Sequence, residues 1–111
     1  MEFMKKFFQD ETQEERLIRL SKNIRESNPN KIPILIKSNN VKILKERYVV
    51  SKDITLGHFT KGIRKYIKIS ETDAIFTLIN NFMHTPNKTF REIDTGEPYL
   101  TIVLCKEETY G

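Results

Sequence analysis

The sequence holds one cysteine, Cys105, and no tryptophan. A lone cysteine excludes an internal disulfide framework and fits a reducing compartment. On an apolar stretch it reads as a small buried hydrophobe and not as a nucleophile. Only four glycines are present, so there is no Gly-rich loop to cradle a phosphate. The two histidines, His58 and His84, have no paired Cys or His spacing that would hold zinc. No apolar run approaches the ~18 residues that span a bilayer. The N-terminal Met1–Phe8 stretch contains Glu2, Lys5 and Lys6 and is too short and too charged for a signal peptide. Charge of one sign is not in large excess either: 19 basic against 15 acidic residues leave +4. Such a balance permits contact with anionic membrane or nucleic acid without assigning either. These absences argue against an enzyme and against a metal or other cofactor, and they leave a small soluble intracellular domain.

What is present is enough for one folded unit. A chain of 111 residues makes a single domain that buries roughly 65% of its unfolded surface. The first strong element is a helix from Thr12 to Ser27. Thr12-Gln13-Glu14-Glu15 reads as a capping box, Leu17, Leu20 and Ile24 form one apolar face, and Asn28-Pro29 ends it. Upstream, Phe3, Phe7 and Phe8 suggest a short additional helix. Lys31–Lys37 reads as a strand, with Pro33 inside it pointing to a sheet edge or a bulge. Arg47–Ser51 reads as a second strand, and a hairpin with the first is the simplest connection.

Asp53–Ile67 reads as a helix capped by Asp53 or Thr55, with Leu56, Phe59, Ile63 and Ile67 on one face. Gly57 and Gly62 inside it cost roughly 1 kcal/mol each relative to Ala, which implies a close neighbour at both. Ala74–Ile79 reads as a third strand. Thr89-Phe90-Arg91-Glu92 is a second capping box opening one helical turn. Tyr99–Cys105 is an apolar and therefore central strand. A hairpin, a helix crossing one face and two further strands make an α+β, ubiquitin-like β-grasp with two N-terminal helices. Residues 1–27 form the helical extension, 28–106 the core and 107–111 a flexible tail.

Two features bear on function. In Arg47-Tyr48-Val49-Val50, alternation puts Val49 on one face and Tyr48 with Val50 on the other. Apolar residues on both faces of an edge strand need a cover. Either the helices supply it or a partner peptide adds as a further strand, and Lys45 and Arg47 would favour an acidic partner. The second feature is Gly111, whose carboxylate on a polar tail is unhindered by a side chain. Arg16, Arg19, Lys22 and Arg25 step by three along the first helix, an arc that is either a solvated face or an anionic contact.

The residues so far quoted, taken together, resemble the ubiquitin-like autophagy modifiers, the group that includes the microtubule-associated light chain and the GABA-receptor-associated protein. The likeness runs from about Ile24 to Gly111. It is carried by Lys31-Ile32-Pro33-Ile34, Lys45-Glu46-Arg47-Tyr48-Val49-Val50 and Asp53-Ile54-Thr55-Leu56-Gly57-His58-Phe59. Ile63-Arg64-Lys65, Asp73-Ala74-Ile75-Phe76, Asn80-Asn81 and Tyr110-Gly111 complete it. The resemblance implies that Gly111 is activated by adenylation, carried as a thioester on activating and conjugating enzymes, and joined by an amide bond to phosphatidylethanolamine. The monomeric domain would then pass from the cytoplasm to autophagosome membrane and recruit receptors, with no nucleic acid partner.

Receptor peptides of aromatic-x-x-aliphatic type would add beside the second strand. The resemblance places the aromatic side chain against Ile24, Pro33, Arg47, Val49 and Tyr99. It places the aliphatic one against Tyr48, Val50, Ile54, Phe59 and Gly62, and acidic flanking residues near Lys31, Lys45 and Arg47. It also moves Pro33 to an inner strand. Leu20 stands where an acidic residue is common, Gly62 where a larger apolar one is, and Ser51 where proline is. These departures imply a more apolar first pocket and a roomier second one. The loop between the first two strands is several residues short. Where Gly111 is the native end, no protease is needed to expose it. A pure peptide-docking module that is never conjugated, and a cytoskeletal or RNA-binding protein using the basic helix, are the competing readings.

Overall fold

The computed structural model describes residues 11–107. The short helix expected around Phe3–Phe8 and the tail ending at Gly111 lie outside the described residues. Helix α1 spans Gln13–Ser27, and Thr12 caps it as the spacing predicts. The Thr12 hydroxyl accepts the Glu15 N–H at 3.1 Å and donates to the Glu15 carboxylate at 3.1 Å. Then follow β1 (Lys31–Ser38), β2 (Lys42–Ile43), β3 (Arg47–Ser51), α2 (Leu56–Ile63), a 3-10 turn at Arg64–Tyr66, β4 (Ile67–Lys68), β5 (Ile75–Leu78), α3 (Phe90–Ile93) and β6 (Leu100–Lys106).

The main sheet has the order β3-β1-β6-β5. β1 runs antiparallel to β3, from Lys31↔Ser51 to Leu35↔Arg47, and parallel to β6, from Ile34↔Leu100 to Ser38↔Leu104. β5 closes the far side antiparallel to β6. The two inner strands are the β-branched runs, as burial on both faces requires. Ile32, Ile34 and Ile36 alternate onto one face with Leu100, Ile102 and Leu104. They meet Leu56, Phe59 and Ile63 of α2 and Phe90 and Ile93 around α3. Each such side chain contributes roughly 1.5–3 kcal/mol by leaving water. α1 packs against β1, on the side to which Pro33 and Val49 point.

Pro33 is in an inner strand, against the edge placement expected from its missing N–H. The ladder shows why this costs little. Ile36 donates to Glu46 at 2.8 Å and Lys52 to Asn30 at 2.9 Å, so the bonded pairs of the β1–β3 ladder alternate from those positions. Pro33↔Val49 therefore falls on a non-bonded pair. The Pro33 nitrogen faces β6, whose pairing starts only at Ile34↔Leu100. No ladder bond is lost.

Other expectations are corrected. Leu20 is 38% exposed, and the centre of the α1 face is Ser21, 1% exposed, whose small side chain lets the helix approach the sheet. Helix α2 stops at Ile63, so Ile67 is buried from strand β4, which pairs with β2. Thr55, not Asp53, caps α2, accepting the His58 N–H at 3.1 Å. Thr89 makes no side-chain cap bond; the single turn it opens closes through backbone bonds alone. Cys105 is half-buried at the β5 side of β6, not fully enclosed.

The two helix glycines differ. A Cβ at Gly57 would lie 3.0 Å from Pro86 Cβ and 3.1 Å from the Pro86 carbonyl oxygen, which already accepts the Gly57 N–H at 2.8 Å. A Cβ at Gly62 meets nothing within 4 Å, so the close neighbour expected there is absent. Gly57→Ala is expected to destabilise by about 1–3 kcal/mol through overpacking against backbone. Gly62→Ala is expected to stabilise by about 0.5–1 kcal/mol. Urea unfolding of both variants checks this, and equal shifts would refute the packing assignment.

Candidate functional site

Among the described residues β3 pairs with β1 only, so its outer edge is free. The ladder fixes what that edge offers. Tyr48 and Val50 sit on bonded pairs and direct their amides at β1, whereas Arg47 and Val49 direct theirs outward. The same alternation sorts the side chains. Val50 enters the core and Tyr48 packs beside it, while Val49 stays 50% exposed on the α1 side. An unpaired edge with an exposed apolar side chain is a template for another strand.

Beside this edge lies a groove of about 390 Å³ between α1 and the sheet. Ile24, Pro33, Arg47, Val49 and Tyr99 all line it, so the five residues expected of the first pocket converge. Leu17, Leu20 and Ser21 of α1 complete one wall, and Lys45 reaches in from the loop before β3. Two cations and no carboxylate line it, which suits an acidic visitor. Lys31 is exposed at the start of β1, opposite Ser51.

The residues expected of the second pocket are brought together less openly. Val50 and Phe59 belong to the closed core; Tyr48 and Ile54 are half-buried, and Gly62 is exposed on α2. Tyr48 stands edge-on to Phe59 at 5.4 Å, and Phe59 edge-on to Phe90 at 5.4 Å. Such pairs add about 0.5–1.5 kcal/mol each beyond their buried area. Tyr66 lies 6.1 Å from Tyr48, and the Lys45 ammonium sits over both rings, at 5.0 and 5.1 Å. The Tyr48 hydroxyl donates to the Lys45 carbonyl at 2.8 Å. Burial, and then the neighbouring Tyr66, push the Tyr48 phenol above its usual range, so it remains a neutral donor.

The arc of basic residues on α1 is not one surface. Arg19 grips Glu11 through Nε and Nη2, each at 2.8 Å, and Arg16 lies 4.0 Å from the same carboxylate. Arg25 leaves the arc. It forks onto Asp94 with two bonds of 2.9 Å and donates a third, of 3.0 Å, to the Pro98 carbonyl. The Arg25 hydrogen bonds hold the Asp94 carboxyl below its ordinary range, helped by the Gly96 N–H, against the opposing effect of burial. Sequence reasoning missed this pair, and also Ser21 and Tyr66; Leu17 was read on the apolar face of the helix but not placed at the groove. A small residue in the middle of an apolar helix face was the available sign for Ser21; the others have no local sign.

An antiparallel hairpin, a helix over one face, a parallel return strand between β1 and β5, and an additional helix on the opposite face define a ubiquitin-like domain with an N-terminal helical extension. Known proteins carry the same arrangement. Residues 4–111 match the family described as autophagy protein Atg8, ubiquitin-like. Autophagy-related protein 8 of Schizosaccharomyces pombe is 32% identical over 116 residues, covering 97% of this chain and 96% of that protein. Autophagy-related protein 8c of Arabidopsis thaliana is 37% identical over 99 residues, covering 82% and 83%. The crystal structure of Trypanosoma brucei ATG8 superposes with a TM-score of 0.70 at 19% identity, over 92% of this chain and all of that one, and so supports the fold. The chain belongs to the Atg8 family of ubiquitin-like autophagy proteins.

The Arg25–Asp94 pair gives a pH signature. A carboxyl whose folded pKa is depressed stabilises fully above its unfolded value, about 3.9, and loses that contribution as pH falls toward the folded one. The Tm gap between the parent and Asp94→Asn is therefore expected to be largest near neutral pH and to close below about pH 4. Thermal unfolding across that range measures it. A gap independent of pH would mean that the carboxylate charge is not what holds the clamp.

Proposed function

We propose that this chain is a modifier: Gly111 is joined by an amide bond to phosphatidylethanolamine on autophagic membrane, and the domain then recruits receptors through the groove beside β3. The observation that carries the receptor half is the convergence of Ile24, Pro33, Arg47, Val49 and Tyr99 next to a free strand edge. A peptide of aromatic-x-x-aliphatic type pairs its backbone with the outward amides of Arg47 and Val49. Its aromatic side chain enters between α1 and the sheet, and acids preceding it meet Lys31, Lys45 and Arg47. The aliphatic side chain rests on Tyr48 and Ile54 near Gly62, above the buried Val50 and Phe59. Two anchored side chains and a few strand bonds suit micromolar affinity, about −8 kcal/mol.

The conjugation half rests on family membership, with a match that runs through Tyr110-Gly111. Activating and conjugating enzymes adenylate the Gly111 carboxyl with ATP, releasing pyrophosphate, and pass the acyl group to cysteine thiols, releasing AMP. The lipid amine then displaces the thiol. The chain is the substrate of these steps and catalyses none of them. It works as a monomer, cytoplasmic until lipid is attached. Each buried lipid CH₂ then adds about 0.8 kcal/mol of membrane affinity, and the sum over two acyl chains outweighs the attraction of a +4 charge to an anionic surface.

Intact mass after incubation with cognate enzymes, ATP and phosphatidylethanolamine vesicles tests conjugation. A lipid-sized gain is expected in the parent and none in Gly111→Ala. No gain in the parent, with enzymes shown active on another family member, would leave a peptide-docking module alone. The open space at Gly62 gives a second test. Gly62→Leu is expected to reorder the affinities of a peptide panel varied at the aliphatic position. An unchanged ranking would remove Gly62 from the second pocket.

A further inference from the structure

We propose that Arg25 and Asp94 are positioning residues for the aromatic pocket: their ion pair holds the α1 wall and the β6 wall together and thereby sets affinity for the aromatic side chain of a partner peptide. This rests on the groove reading above. The sequence neighbours of the clamp carry the inference. Arg25 follows Ile24, which lines the groove from α1. The Pro98 carbonyl that accepts from Arg25 Nε precedes Tyr99, which lines it from the head of β6. One guanidinium thus spans the two walls, through three bonds of 2.9–3.0 Å to groups 69 and 73 residues away.

The joint is itself braced. Asp94 receives the Gly96 N–H at 3.2 Å, and its own N–H bonds to the Phe90 carbonyl at 2.8 Å, which ties the 94–98 loop to the buried Phe90. Lys52 adds a further positive charge facing the Asp94 carboxylate. Both side chains of the pair are largely shielded, at 19% and 12% exposure, so solvent weakens the fork less than it does the exposed Arg91–Asp53 pair. A planar fork on a carboxylate fixes orientation as well as distance, which a lysine cannot reproduce. Elsewhere the α1 wall rests on side chains that are half-exposed, apart from Ser21. Without the fork, Ile24 and Tyr99 are free to separate, and the pocket loses its preformed width.

The test is a set of titrations with short synthetic peptides bearing acids before Trp-x-x-Leu, Ala-x-x-Leu or Trp-x-x-Ala. The proteins are the full-length parent, Asp94→Asn and Arg25→Lys, each checked for a folded amide spectrum. Asp94→Asn is expected to weaken Trp-x-x-Leu and Trp-x-x-Ala about tenfold each, and Ala-x-x-Leu by less than about threefold, a coupling specific to the aromatic position. Arg25→Lys keeps the charge and is expected to follow the same pattern; it decides the matter if Asp94→Asn does not fold. A folded variant that binds all three peptides within about twofold of the parent, or that loses equally on all three, overturns the inference. A parent that binds none of them overturns the groove reading itself, and this inference with it.

Discussion

The antiparallel register of β1 with β3 is the constraint on which the site depends. It does three things at once. It spends the amides of Tyr48 and Val50 on β1 and leaves those of Arg47 and Val49 outward. It sends Val50 into the core and holds Val49 beside α1. It also sets Pro33 opposite Val49 on a non-bonded pair, so that a residue without an N–H fits in an inner strand. A slip of one residue would exchange the faces of every side chain on β3 and dissolve the groove. The burial of Val50 and the packing of Tyr48 against the core oppose that slip, because it would turn both outward and bring Arg47 and Ser51 onto the core face.

The helix on the other face is held more selectively. α1 has no row of large buried side chains; its centre is Ser21, flanked by half-exposed Leu17 and Ile24. Close approach through a small residue and a forked ion pair at its C-terminal end replace part of the apolar burial that fixes α2. The two helices therefore play different parts. α2 closes the core with Leu56, Phe59 and Ile63, whereas α1 leaves a gap between itself and the sheet, and that gap is the groove.

Much of this was legible in the sequence, and the rest was hidden for physical reasons. The strands and the capped helix follow from local pattern: β-branched runs, alternation at Arg47–Val50, and Thr12 three residues before Glu15. The five residues that converge on the groove beside β3 come from four separate parts of the chain. No periodicity could assemble them, and they were reached through likeness to a family whose fold already brings them together. The Arg25–Asp94 fork stayed hidden because its partners lie 69 residues apart and Arg25 looks like one more member of a basic arc. β2 and β4 are two residues each, too short to carry a period. Gly57 and Gly62 look alike in the sequence; only the position of Pro86 separates a glycine that is required from one that is spare.

The central claim is that β3 accepts a further strand at its free edge. Amide hydrogen exchange of the parent, with and without a saturating acidic Trp-x-x-Leu peptide, tests it residue by residue. The outward amides of Arg47 and Val49 should exchange fast in the free protein and become protected on binding, while those of Tyr48 and Val50, already bonded to β1, stay slow in both. Binding that leaves Arg47 and Val49 exchanging as before would place the peptide elsewhere and contradict the account.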